Sequence, residues 1–176
     1  MSANKSVGLF IVTKLPNDDL VALLQARGRW NFETDKLETY PGCCQATASG
    51  GVGENESYEE AARREAYEEL GPTFSVLVLE AFKRGDVYTL PIVKEGVQNY
   101  ALLVEYVATK KIALHPSSGG LRSIRLGWTM TIDERVSPVV KDEHRVAGPA
   151  GSTRIIMFSD AIASLKDTEQ IYIKQR

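Results

Sequence analysis

Two residue types that often carry chemistry are scarce in this chain. It has only two cysteines in 176 residues, and they are adjacent, Cys43 and Cys44. Two neighbouring thiols cannot build a disulfide framework, so a small stapled scaffold is excluded and a reducing compartment, most simply the cytoplasm, is expected. There are only two histidines, His115 and His144, far apart in sequence. A histidine-rich zinc site is therefore not expected, and any metal would be held by carboxylates. No apolar run approaches the ~18 residues that span a bilayer. The first apolar stretch, Gly8 to Val12, is too short for a signal-peptide core. Charge of one sign is also lacking: 21 basic and 23 acidic residues leave a net charge of −2. Bulk electrostatic attraction to nucleic acid is not expected from that balance.

What is present suits one soluble domain over residues 1–176, with an ordinary share of apolar (43%) and charged (25%) residues. Val7 to Leu15 reads as a strand, Asn17-Asp18-Asp19 as a turn, and Leu20 to Ala26 as the return arm of a hairpin. Arg27 to Pro41 reads as a long loop, with a short strand after it at Gln45 to Ala48. Ser49 to Gly53 reads as a glycine-rich turn. Further strands are expected at Ser75 to Phe82, Val87 to Ile92 and Tyr100 to Val107, with another somewhere in Leu121 to Ile132. Pro116 to Gly120 and Ser137 to Gly151 read as loops, and Arg154 to Leu165 as a late helix. Few helices and no strand–helix–strand alternation indicate a mixed α/β domain.

The clearest element lies between these. Ser57 and Glu60 form an S-x-x-E capping box, and Tyr58 to Leu70 contains neither Gly nor Pro. Gly71 is placed as a left-handed C′ residue, and Pro72 blocks continuation. Ala62, Ala66 and Leu70 form a stripe that suits close packing against a sheet. Seven of the 23 acids fall between Gly50 and Pro72. Glu65, Glu68 and Glu69, at i, i+3 and i+4, share one face in the later half of the helix. Like charges at that spacing destabilise a helix by a few tenths of a kcal/mol per pair, and the dipole disfavours them there. A solvated acidic face is one reading. A divalent cation that removes the conflict is the other, since hard cations take oxygen ligands and bridge to phosphates. Arg64 sits among the acids, with a guanidinium suited to pairing with and orienting a carboxylate.

The full string decides between these readings. Gly50-x5-Glu56-x7-Arg64-Glu65-Ala66-x-Glu68-Glu69-x-Gly71-Pro72 resembles the Nudix box, G-x5-E-x7-R-E-U-x-E-E-x-G-U with U a bulky aliphatic residue. Every Gly, Arg and Glu position matches over 23 residues. Ala66 and Pro72 depart at the two U positions, and Asn55 stands where Gly often precedes the first box Glu. Pro41-Gly42 and Gly50-Gly51 look like the approach to the box. The resemblance implies a Nudix-like α/β/α sandwich with a mixed β-sheet between helices. It implies Mg²⁺ or Mn²⁺ held by Glu65, Glu68 and Glu69, helped by a backbone carbonyl near Ser49 or Gly50. Glu56 would join the outer metal shell or pair with Arg64. The implied activity is hydrolysis of the diphosphate linkage in a nucleoside diphosphate derivative or a nucleoside triphosphate. The partner would be a small nucleotide-type substrate, and the family also makes a homodimer a candidate assembly.

The same resemblance leaves the general base open. It is Glu65, or whichever of the three acids is not fully coordinated, Glu68 included, or a late-loop acid among Asp133, Glu134, Asp142 and Glu143. Cys43 and Cys44 raise a different reading, because isopentenyl diphosphate isomerases are distant relatives with a catalytic cysteine just ahead of this helix. The histidine that usually follows that cysteine is replaced here by Gln45-Ala46-Thr47, and buried strand cysteines are the plainer account. A third reading is a non-catalytic Nudix domain that senses a nucleotide. Trp30, Phe32 and Tyr40 are candidates for stacking on a base or for loop packing. Tyr88, 16 residues after Pro72, is a weak pointer to dinucleoside polyphosphates. Arg27, Arg29 and Lys83 are open candidates for phosphate contact, and His115 and His144 read as ordinary loop residues.

Overall fold

A computed structural model describes residues 4–139 and 154–174. The expected hairpin forms: β1 (Ser6–Lys14) runs antiparallel to β2 (Leu20–Arg27), with Ile11 opposite Leu23. The polar stretch after β2 is not all loop. It carries a small separate hairpin, β3 (Trp30–Asn31) and β4 (Lys36–Leu37), closed where Asn31 Oδ1 accepts from the Glu33 and Thr34 amides. That local cap has no apolar periodicity to announce it. The single strand expected at Gln45 to Ala48 is two, β5 (Cys44–Gln45) on β2 and β6 (Ala48–Gly51) on β1. The glycine-rich turn thus begins as strand, because glycines there let the chain run close to the box helix.

Helix α1 (Tyr58–Leu70) has the expected bounds and both halves of its capping box. The Ser57 hydroxyl accepts from the Glu60 amide at 3.1 Å, and Glu60 Oε2 accepts from the Ser57 amide at 2.8 Å. Gly71 has φ +91° and ψ 178°, a region essentially confined to glycine. Pro72 does end α1, but it also starts a second helix, α2 (Pro72–Arg84), so the strand expected at Ser75 to Phe82 is a helix. Proline at the first helical position loses only an amide that would have no partner. The run Ser75-Val-Leu-Val-Leu reads as β-rich, yet Phe74, Val78 and Ala81 bury one helical face, and that packing overrides propensity.

The chain continues through β7 (Val87–Thr89), β8 (Val97–Val104) and β9 (Ser118–Arg125), the last beginning inside the expected Pro116 to Gly120 loop. A short helix α3 (Ile132–Arg135), also carrying a capping box, leads into β10 (Val136–Pro138). The late helix expected from Arg154 is a strand first, β11 (Ile155–Met157), and then α4 (Ser159–Ile173). The main sheet runs β10-β11-β5-β2-β1-β8-β7, with β6 also on β1 and β9 also on β2. It is mixed: β1 and β8 are parallel, β1 and β2 antiparallel.

Strand β1 is nearly all apolar because both its faces are covered. Val7, Leu9 and Ile11 pack with Ala62, Ala66, Leu70, Phe74 and Val78 of α1 and α2. Phe10 and Val12 pack in a second core with Ile162, Leu165 and Tyr172 of α4. This is the expected α/β/α sandwich. Ala62, Ala66 and Leu70 are fully buried, so the small residue at one U position lets α1 lie close to the sheet. Among the described residues, no helix is long and apolar enough to cross a membrane.

Candidate functional site

The loop before α1 and the helix itself put the box residues on one side of a cleft of about 660 Å³. Gly50, Gly51, Arg64, Glu65, Glu68 and Glu69 all line it. Arg64 is the hub. Its Nε and one terminal nitrogen make a two-pronged bond to Glu56 at 2.8 and 2.9 Å, and that nitrogen also reaches the Gly51 carbonyl at 2.7 Å. The other terminal nitrogen donates to Glu65 at 2.7 Å and to Glu68 at 3.3 Å. Arg64 holds the Glu56 carboxyl down to about 2, helped by the Gly53 amide. Glu56 therefore serves as the partner that fixes Arg64.

Glu65 and Glu69 are in the opposite electrostatic state. Glu65 is buried, and burial raises its pKa despite the Arg64 bond. Burial pushes Glu69 up to about 8, against the pull of the Ser49 amide. That amide donates to Glu69 Oε2 at 2.9 Å, and Gln25 Nε2 approaches the same oxygen at 3.3 Å. Gln25 is itself buried and held by the Thr47 carbonyl at 2.9 Å. Two carboxyls that resist ionisation, Glu65 buried and Glu69 half-buried, one turn apart beside a third at Glu68, form a hard-oxygen set that a divalent cation would relieve. Among the described residues, no three acidic, histidine or cysteine side chains are drawn around a common point as they stand. The Arg64 cation takes that role for Glu56, Glu65 and Glu68 instead. The Gly50 backbone lies directly against the Glu65 carboxylate, where a Cβ would collide with it. The donor set of Glu65, Glu68 and Glu69, all lining one cleft with the Gly50 backbone, thus fits a hard divalent cation such as Mg²⁺ or Mn²⁺.

The structure sorts the remaining candidates. Asp133 pairs with Lys166, and Glu134 caps its own helix, α3; neither lines the box cleft. Asp142, Glu143 and His144 lie outside the described residues. Cys43 and Cys44 are buried away from the cleft. Burial pushes their thiols up to about 12 and about 11, the reverse of an activated nucleophile. Trp30 and Phe32 are exposed on the small hairpin, while Tyr40 packs edge-to-face on Phe158 at 5.7 Å; none lines the cleft. Tyr88 packs edge-to-face on Tyr172 of α4. Of the three cations, Arg27 lines the cleft, whereas Arg29 and Lys83 do not. The sequence reading missed Gln25, which looks like any polar residue on a strand, and His115, which lines the wall opposite the box.

No curated protein sequence matches the chain. Solved structures of similar fold include a MutT/nudix family protein from Enterococcus faecalis, 13% identical with a TM-score of 0.61. The alignment covers 99% of this chain but only 63% of that one. A C. elegans Ap4A hydrolase is 16% identical over 68% of this chain and 78% of its own, with a TM-score of 0.43. A Nudix hydrolase from M. smegmatis is 17% identical over 69% and 70%, with a TM-score of 0.45. The NUDIX domain family model matches residues 5–136, three quarters of the sequence and the whole of the box, so the chain belongs to the Nudix domain family.

Proposed function

We propose that the chain is a metal-dependent hydrolase that cleaves the diphosphate linkage of a nucleoside diphosphate derivative or a nucleoside triphosphate. One observation carries this reading: Glu65, buried, and Glu69, half-buried, are carboxyls with raised proton affinity, side by side on the wall of an open polar cleft. A purely structural helix has no use for that arrangement. Glu65, Glu68 and Glu69 would hold Mg²⁺ or Mn²⁺ with the Gly50 carbonyl. When bound, the ion would neutralise phosphate oxygens and acidify a water. Arg64, clamped by Glu56, keeps Glu65 and Glu68 in place. Glu65 is the candidate base, because its burial favours the protonated form and so lets it take a proton from water.

The test is release of phosphate or pyrophosphate with Mg²⁺ or Mn²⁺ across nucleoside triphosphates, nucleotide sugars, dinucleotides, dinucleoside polyphosphates, coenzyme A and capped RNA. Metal-dependent turnover of any of these, lost in Glu69→Gln, supports the reading. Silence across the panel with folded protein and both metals overturns it in favour of a nucleotide-sensing domain.

A further inference from the structure

The wall of the cleft that faces the box has a chemistry of its own. It is built from the end of β2, the β3–β4 hairpin with the residue after it, and the segment leading into β9, and it presents Arg27, Asn31, Glu33, Glu38, His115 and Ser117. Among the described residues that line the cleft there is no Phe, Tyr or Trp side chain, the His115 imidazole is the only aromatic ring, and Ala26 is the only apolar residue apart from glycine. A nucleobase is commonly held by stacking on an aromatic face. A wall meant only for phosphate would carry donors and no carboxylates. This wall carries both donors and acceptors. Asn31 Oδ1 is taken by the Glu33 and Thr34 amides, which leaves its –NH₂ as the donor. The Ser117 oxygen accepts from the Phe32 amide at 3.2 Å, which leaves its proton to give.

His115 is the best fixed of the set. Its backbone amide donates to the Glu69 carbonyl at 3.2 Å, so its main chain is anchored to the end of the box helix. Its Nδ1 accepts from the Ser117 amide at 3.1 Å, which puts the ring proton on Nε2. Glu33 Oε1 stands 3.7 Å from that Nε2, too far for a direct hydrogen bond. A hydroxyl entering beside the pair accepts from Nε2 and donates to Glu33. Paired donors and acceptors of this kind are what a sugar needs, because each hydroxyl both gives and takes a hydrogen bond.

Resting on the hydrolase reading, we infer that the wall opposite the box binds a polyhydroxylated group, a sugar or cyclic polyol attached to the diphosphate, with His115 and Glu33 as its specificity-determining donor and acceptor. The experiment compares matched pairs that share base and diphosphate: ADP-glucose against the methyl ester of ADP, and the uridine counterparts. Wild-type protein is expected to prefer the sugar conjugate at least tenfold in kcat/KM in one pair, mainly through KM. His115→Ala and Glu33→Gln should each lower kcat/KM for the sugar conjugate about tenfold more than for the methyl ester. Trp30→Ala and Phe32→Ala should leave the preference unchanged. Calorimetric titration of both members in Ca²⁺ supplies a readout without turnover, and the same preference is expected in Kd. Equal handling of both members, or loss of the preference in the Phe32 variant, overturns the inference and leaves the hydrolase reading standing. A tenfold binding preference for the sugar with no turnover of these pairs or of any member of the wider panel overturns the hydrolase reading alone. Absence of binding to these pairs together with silence across that panel overturns both.

Discussion

Replacing Glu69 with Gln should make the metal-free protein more stable while removing its catalytic power. The reason is linkage. The ordinary carboxyl value of 4.5 is raised to about 8 in the folded state, with burial the main cause. Near pH 7 the folded protein therefore keeps Glu69 protonated, whereas the unfolded chain ionises it. That ionisation favours unfolding. Its contribution is absent below about pH 4.5, grows as pH rises toward 8, and is flat above that. At pH 7 it is on the order of 3 kcal/mol, from about 1.4 kcal/mol for each pH unit above 4.5. Gln keeps the shape and can accept from the Ser49 amide, but it has no charge to release. For a chain of this size the gain corresponds to a rise in Tm of roughly 10 °C. The assay is thermal unfolding in EDTA at pH 5, 7 and 9, for wild type and Glu69→Gln. The difference should be small at pH 5 and grow through pH 7 toward pH 9. Added Mg²⁺ should raise the wild-type Tm and move the variant much less, and turnover should fall by several orders of magnitude. Equal melting temperatures at all three pH values, or near-normal activity in the variant, would refute the assignment.

The same chemistry extends to other measurements. Mg²⁺ binding near pH 7 should release about one proton, seen as buffer-dependent heats in calorimetry, and should weaken up to tenfold per pH unit below 8. Gly50→Ala would place a methyl group against the Glu65 carboxylate. It should abolish Mg²⁺-dependent turnover while leaving the far-ultraviolet circular dichroism intact. Ala66→Leu would overfill the contact between α1 and the sheet, at about 1–3 kcal/mol in denaturant unfolding. Cys43 and Cys44 should react with a maleimide only after denaturation, and Cys43→Ala and Cys44→Ala should each keep full turnover.

Local rules predicted some elements well and others poorly, for identifiable reasons. The capping box at Ser57 and Glu60 and the glycine at 71 are bonds and angles of the chain with itself, so α1 could be bounded to the residue. The hairpin β1–β2 carries its turn in Asn17 to Asp19 and was as legible. Helix α2 was not, because its β-branched run contradicts the state that burial of Phe74, Val78 and Ala81 imposes. Nor was β11, whose three residues form a strand only by lying between β10 and β5, which are distant in sequence.

The two walls of the cleft differ in the same way, and the difference bears on function. The box wall is one contiguous stretch, since Glu56 meets Arg64 eight residues on and Glu65, Glu68 and Glu69 follow on one helix face. Spacing alone brings those groups together, which is why a linear pattern can encode them. The opposite wall joins Arg27, Asn31, Glu33 and His115 from segments up to 88 residues apart in the chain. No spacing rule unites them; only the sheet does, through β2 and the Ser118 end of β9 beside it. A reaction common to a family can be written in a contiguous motif. The choice of substrate is made where loops from separate parts of the chain converge, and His115 illustrates the point. Unremarkable by its neighbours in sequence, it is tied to Glu69 through its backbone and faces the same cleft through its ring.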